Sequence, residues 1–489
     1  MDADLHDLQT LLKSRVRIIT LDSMEETRIV ALFVELGRVI DAPIFTWTVT
    51  DGLHRRDSDY GPQSHTRRPL DALAQIRATT RAGIYLFLDF EPYFDDIVIR
   101  HLKELCQDTA GPRHTLAFVG ADLELPHPLK SFSAAFSPAR PDDARLREIV
   151  RDQARQYREA HEGERVRTSP EFLDKLVQNL RGLTSQDAQL LAHRAIFDDG
   201  AITASDLADT ARAKFELLDG GEILTFEFET ARFRDIGGLR KLKSWLDVRR
   251  PAFLDGDARD RPKGVMLVGV QGCGKSLAAK TVAGAWGVPL LGLDFGRLYN
   301  KYHGETERNL RAALATATAM APCVLWVDEI EKGLSVGDSD SGTSQRVLGT
   351  LLTWMNEDKP AVFLVATANA IEALPPELIR KGRMDEIFFV DLPKPDVREL
   401  ILRIHLQRRG VEISDEGLAE LVAASEGFSG SELEQAVVSG IYVAKANKAP
   451  LTAADVAAEM TLTQPLSVVM SERIAALRAW AAGRTVPVD

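Results

Sequence analysis

The sequence predicts an α/β protein laid out as two successive halves, each a stretch of alternating strands and helices followed by a helical region. Three observations predict it. Four apolar, β-branched runs alternate with helical patterns before residue 120, the order expected of a parallel sheet with helical crossovers. Residues 142–215 are then almost wholly helical in pattern. Five more strand-like runs follow, and the first opens into a glycine-rich loop, Gly269-Val270-Gln271-Gly272-Cys273-Gly274-Lys275-Ser276. A chain of 489 residues is too long for one ordinary core, so two or three domains are expected.

In the first half, Arg15–Leu21, Ile44–Val49, Ile84–Phe90 and Thr115–Val119 read as buried strands. The turn dipeptide Asp51-Gly52 ends the second. Helical patterns over Glu25–Ile40, Leu70–Thr80 and Asp95–Gln107 lie between them. Leu217–Thr230 breaks the helical pattern with Gly-Gly and acidic residues and reads as a linker. Strand-like runs follow at Gly264–Val268, Pro289–Leu293, Cys323–Val327 and Ala361–Ala366, with a helical region from about Asp396 to Ala444. The halves share element order but no residue-level repeat.

Composition narrows the class. Hydrophobic residues at 45% and charged residues at 27% are the balance of a soluble globular protein. No run of 18 apolar residues predicts a membrane span, and the N-terminus lacks the basic start and apolar core of a signal peptide. Three scattered cysteines form no metal-ligand pattern and fit a reducing cytoplasm. A net charge of −12 argues against nucleic acid as the partner.

The glycine-rich loop has the context that phosphate binding needs, with a strand before it and a helix (Leu277–Ala285) after it. Its glycines let successive backbone N–H groups turn toward phosphate oxygens, and the helix N-terminus adds partial positive charge. Lys275 is expected to reach the β- and γ-phosphates of ATP, and the Ser276 hydroxyl to ligate Mg²⁺. Cys273 is then a small loop residue rather than a redox site.

Cys323–Val327 ends in Asp328-Glu329. Ligands of a parallel sheet bind beyond the carboxyl ends of its strands, which places Asp328 beside the metal and lets Glu329 polarise a water. Asn369, after Ala361–Ala366, reads by itself as a turn or capping residue; its place in the strand order suggests a water-holding amide. Arg380-Lys-Gly-Arg383 reads either as a solvated basic turn or as arginine fingers directed at another subunit's nucleotide, which implies a ring.

Together these residues resemble the AAA clade of ATPases over about Phe233 to Ala444. The landmarks are Phe233-Arg-Asp-Ile-Gly-Gly238, the phosphate loop, Val327-Asp-Glu329, Ala366-Thr-Ala-Asn369, Arg380-Lys-Gly-Arg383 and Gly427-Phe-Ser-Gly430. The resemblance implies a homohexamer, an adenine slot near Asp235, Ile236 and Gly237, an adenine-side His405, a contact from a helical lid at Gly430 and Ser431, and Arg380 and Arg383 as trans-acting fingers. A narrower resemblance, carried by Gly237-Gly-Leu-Arg-Lys-Leu-Lys-Ser-Trp-Leu246, Thr343–Thr350 and Pro465-Leu-Ser467, is to the plastid-reading-frame AAA ATPases of cyanobacteria, other bacteria and algal chloroplasts. It implies a first half that is an AAA-like module without a working nucleotide site. Thr20-Leu-Asp-Ser-Met-Glu-Glu26 stands where a phosphate loop would be, without glycine or lysine, and Asp89 is followed by Phe90 rather than an acid.

The expected organisation is a degenerate α/β domain (1–141) and its helical subdomain (142–216), then a linker (217–232). After these come an AAA+ module of five-stranded parallel sheet (233–394) and helical lid (395–462), and a C-terminal helix and tail (463–489). AAA unfoldases carry an aromatic-x-Gly on a pore-facing loop, and Tyr302 and Gly304 match it; an exposed turn is the other reading. Lys332–Gln345 is polar and expected to be mobile, as a second pore loop or a plain one. The partner implied is a protein substrate or adaptor. An assembly scaffold that recruits partners through the first half and a nucleic-acid-associated ATPase are the alternatives.

Overall fold

The four apolar runs of the first half form strands within one to three residues of the expected limits in the computed structural model. It describes residues 2–489 apart from 15, 122, 219–222, 229–235, 258, 299–304, 335–340, 357–360 and 381. The chain divides into two units, Met1–Pro141 and Asp142–Asp489.

In the first unit, β1 (Ile18–Asp22), β2 (Ile44–Thr48), β3 (Gly52–Arg55), β4 (Ile84–Leu88), β5 (Thr115–Gly120) and β6 (Ser133–Ala135) make one sheet in the order β3-β2-β4-β5-β1-β6. All pairings are parallel except β2 with β3. That hairpin, absent from the sequence reading, follows from the Asp51-Gly52 turn. Gly52 sits at φ +74°, where a Cβ would lie 2.5 Å from the Gln63 carbonyl oxygen. The central strand β4 is buried on both faces. Tyr85 and Phe87 join one core, and Ile84, Leu86 and Leu88 the other. The helix Glu26–Ile40 buries Ile29, Leu32, Phe33 and Leu36, the i, i+3, i+4, i+7 stripe that faces a sheet.

The second unit begins with four helices, Asp143–Ala160, Pro170–Leu180, Ser185–Phe197 and Ala204–Leu217. Each starts at a side-chain cap: Asp142, Ser169 and Thr184 accept from backbone N–H groups, and Thr203 forms a capping box with Asp206. The segment read as a linker contains a strand instead. β7 (Leu224–Glu227) pairs antiparallel with β9 (Leu290–Leu293), because Leu224 is buried against the sheet core and Phe226 packs on Phe215.

β8 (Gly264–Gly269), β9, β10 (Cys323–Val327) and β11 (Val362–Ala368) match the four runs located in the sequence, and β12 (Glu386–Val390) completes the expected five parallel strands. The full sheet runs β13-β12-β8-β11-β10-β9-β7, with the short β13 (Val486–Pro487) on the far edge. Lys332–Gln345 is corrected at both ends. The helix Ile330–Leu334 enters it, and the helix Ser341–Asn356 begins inside it because Val347, Leu351 and Met355 drive into the core. Four helices, Pro395–Arg408, Asp415–Ala424, Gly430–Ala446 and Ala453–Leu462, form the lid around their own core of Leu402, Leu421, Leu433 and Val456. The helix Ser471–Ala481 returns to the sheet and buries Leu477 in its core.

Candidate active site

The glycine-rich loop lies beyond the carboxyl end of β8. Gly269, at φ +149°, passes so close to β12 that a Cβ would sit 2.0 Å from the Val390 carbonyl oxygen. Gly272, at φ +75°, approaches the lid, where a Cβ would sit 2.2 Å from Ser431 Oγ. Gly274, at φ +87°, borders open space and precedes the helix Lys275–Trp286. The loop is therefore a cradle that only glycine backbone can form, and it fits a phosphate chain. Lys275 is 6% exposed, and its Nζ donates to the carbonyl oxygens of Gly269 (2.9 Å) and Val270 (2.8 Å). Burial pulls its ammonium pKa down to about 8. Cys273 lines the same loop, and burial pushes its thiol up to about 12, so it is an unreactive wall.

The ends of β10 and β11 supply a polar network. Ser276 Oγ donates to Asp328 Oδ1 at 3.0 Å. Thr367 Oγ1 donates to the same carboxylate oxygen and accepts from the Glu329 backbone N–H at 2.9 Å. Glu329 holds φ +47°, a costly conformation for a residue with a Cβ, of the kind that collects at functional sites. Asn369 Nδ2 donates to Glu329 Oε1 at 2.7 Å, and Lys332 pairs with the other oxygen. A hydroxyl and a carboxylate in contact beside the phosphate loop are hard oxygen donors of the kind Mg²⁺ takes.

These groups line one side of a cleft of about 540 Å³. Its other side is the lid: Ile401, Ile404, His405, Arg408, Gly430, Ser431 and Glu434, with Ile236 and Gly237 closing the end. The three isoleucines give this end of the cleft an apolar lining, which suits a purine ring. His405 Nδ1 lies 3.4 Å from Glu434 Oε1, and Arg409 donates to that oxygen at 2.9 Å. Burial holds the His405 pKa below its ordinary value despite the opposing Glu434 charge, which leaves a neutral ring beside that lining.

The structure thus gathers Ile236, Gly237, Gln271 to Leu277, Asp328, Glu329, Asn369, His405, Gly430 and Ser431 around one cleft. Gly269 and Val270 stand behind the loop and contribute carbonyl groups to Lys275. Arg380 and Arg383 lie outside the cleft. Arg380 is exposed at the end of the helix Pro376–Ile379, and Arg383 donates to the Glu377 carbonyl oxygen at 2.9 Å. Asp235, Tyr302 and Gly304 fall outside the described residues. Sequence reasoning missed Thr367, Ile401, Ile404, Arg408 and Glu434. Helical spacing from His405 points to three of them, since 401, 404 and 408 share its face.

The first unit offers a contrast at its own strand ends. Asp89 follows β4 at φ +51°, and Glu26 opens the helix where a phosphate loop would stand. Burial, and then the Asp89 charge, raise the Glu26 pKa. Glu26 thus stands where the second unit has Lys275, and without a lysine or a glycine cradle the position disfavours phosphate.

The fold and this cleft define a P-loop ATPase of the AAA class. The family model described as "ATPase family associated with various cellular activities (AAA)" matches residues 265–392, and models for the N-terminal and second domains of SpoVK-like AAA ATPases match 4–136 and 144–221. The chain is 34% identical over 486 residues to the AAA domain-containing protein ycf46 of Guillardia theta, covering 97% of this chain and 94% of that one. It is 33% identical to ycf46 of Pyropia yezoensis, covering 97% of each. The chain belongs to this ycf46 family of AAA ATPases, and it binds nucleotide and hydrolyses ATP. Among solved structures it is similar to the FIGL-1 AAA domain, at TM-score 0.48 and 23% identity, covering 56% of this chain and 95% of that one. Among the described residues, no helix is long and apolar enough to cross a membrane.

Proposed function

We propose that the protein is a cytoplasmic, ring-forming, Mg²⁺-dependent ATPase that couples hydrolysis to remodelling of a protein partner. The observation that carries this reading is the Ser276–Asp328–Thr367 and Glu329–Asn369 network, set beside the phosphate cradle while both candidate finger arginines stand outside the cleft. In it, Lys275 and the loop N–H groups bind the phosphates. Ser276 and Asp328 hold Mg²⁺, which when bound neutralises phosphate charge. Glu329 orients and polarises the attacking water, and Asn369 fixes the Glu329 carboxylate. Arg380 and Arg383, which do not line their own cleft, serve a neighbouring subunit's nucleotide. Ile236, Gly237 and His405 hold the base together with Asp235, and Gly430 and Ser431 bring the lid onto the loop.

Two relatives matched over less than half of this chain are ATPases named for cellular processes, which supports work on a partner. These are the Ribosome biogenesis ATPase RIX7 of Saccharomyces cerevisiae, 30% identical over 41% of this chain and 25% of that one, and the Peroxisomal ATPase PEX1 of Arthrobotrys oligospora, 33% identical over 42% and 18%. Tyr302 and Gly304 are the proposed grip on the polypeptide. Tyr302 takes no part in the chemistry, so Tyr302→Ala should leave basal ATPase within about threefold, under roughly 1 kcal/mol of barrier. Partners captured by a hydrolysis-blocked Glu329→Gln protein supply the substrate for the test. Remodelling of that substrate, and its stimulation of ATPase, should vanish in Tyr302→Ala. Full remodelling by the variant would instead favour a scaffold that recruits partners through residues 1–216.

A further inference from the structure

The helical subdomain of the second unit carries a groove that the ATPase chemistry does not use. The helix Asp143–Ala160 presents Arg151, Arg155 and Arg158 at spacings of four and three residues, so they share one face. Arg165, in the segment before the helix Pro170–Leu180, lines the same cavity of about 360 Å³. Its floor is apolar, with Val150, Leu173 and Ile202 at the base. All four arginines are exposed.

On the same helix Arg145 pairs with Glu148 and Arg147 with Asp174 at 2.6 Å, and Arg181 pairs with Asp143 at 2.6 Å. In the groove, among the described residues, only Arg155 has a carboxylate, Asp152 at 3.4 Å. The other three guanidinium groups, gathered over an apolar floor on a chain of net charge −12, repel one another unless an opposite charge joins them.

We propose that this groove is a docking site for an acidic segment of a partner protein. Carboxylates of the segment pair with Arg151, Arg158 and Arg165, and an aliphatic side chain fills the floor over Leu173 and Ile202. The apolar floor favours such a segment over a free anion, which would use the guanidinium groups alone. None of the lining residues is aromatic, so the groove lacks the stacking platform on which single-stranded nucleic acid binds. The site lies outside the nucleotide cleft, so its occupation stands or falls independently of the remodelling reading.

The test uses the full chain and fluorescence anisotropy with a short labelled peptide alternating Glu-Glu with Leu-Leu. Controls are the same peptide with Ser for Leu, and a labelled oligothymidylate. The Glu–Leu peptide should bind saturably and weaken with added salt. Arg151→Glu combined with Arg158→Glu should weaken it by about tenfold or more, as should the Ser-for-Leu change. The milder Arg151→Gln with Arg158→Gln should give an intermediate loss, and ATPase in both variants should match wild type, which reports an intact fold. The proposal is overturned if the Glu–Leu peptide fails to bind, if the charge reversal leaves its binding unchanged, or if the Ser peptide binds equally well. Oligothymidylate that binds as tightly and is lost in the same variant would make the groove a nucleic-acid site instead.

Discussion

At the scale of single residues, Lys275 is the group whose charge the cleft controls. Its amine is buried against two carbonyl oxygens, and desolvation lowers its pKa to about 8. A bound phosphate chain favours the ammonium form and raises that pKa. Between the two values the bound state holds a proton that the free protein has lost. Nucleotide affinity should therefore be flat below about pH 8 and fall by up to tenfold per unit above it. Calorimetry with ADP in buffers of different ionisation heat should show uptake approaching one proton near pH 9 and almost none near pH 6.5. Equal uptake at both values would remove Lys275 as the linked group. The sequence made this residue legible because the Gly-x-x-x-x-Gly-Lys-Ser spacing is local. Thr367 was not legible: its contacts with Asp328 and the Glu329 N–H join two strands 38 to 39 residues apart, and threonine at a strand end carries no signal of that alone.

At the scale of elements, the segment carrying Arg380 and Arg383 is tied to the strand that feeds the phosphate loop. Asp385 Oδ2 accepts from the backbone N–H groups of Lys263 (2.6 Å) and Gly264 (2.8 Å), and Lys263 Nζ donates to the Gly382 carbonyl oxygen at 3.1 Å. Lys263 immediately precedes β8, so the basic turn and the nucleotide strand are held in register. If the arginines act between subunits, neither Arg383→Ala nor Lys275→Ala alone should hydrolyse ATP appreciably, with losses on the order of a thousandfold. Mixed rings should recover part of the activity, since an intact Arg383 can then face an intact Lys275. Mixed rings that form and stay inactive would exclude the trans arrangement. Strands with buried, β-branched runs and helices with a clear stripe were readable from local pattern. The elements missed were β3, β6, β7 and β13, all of five residues or fewer and each at or near a sheet edge, where alternation is too brief to register and pairing with a distant strand decides the outcome.

At the scale of the whole chain, two units of like element order differ where a strand passes into its helix: after β1 the first places Glu26, and after β8 the second places Lys275 and its glycine cradle. An acid follows the strand in both at the other position, Asp89 after β4 and Asp328 after β10. Wild-type protein should therefore saturate at one ADP per chain by equilibrium dialysis, and Lys275→Ala at none. A second equivalent, or binding that survives the Lys275 change, would show that the first unit holds nucleotide. The strand β7 bears on how this chain can be divided. It arises just after the helical subdomain and covers the edge of β9, burying Leu224 beside Leu291 and Leu293. An ATPase fragment begun at residue 233, where the family landmarks start, would discard that cover. It would leave β9 as an open rim of unpaired N–H and C=O groups backed by leucines, the kind of surface on which identical chains stack. The insolubility of such a fragment would then reflect a missing strand rather than an unstable catalytic core.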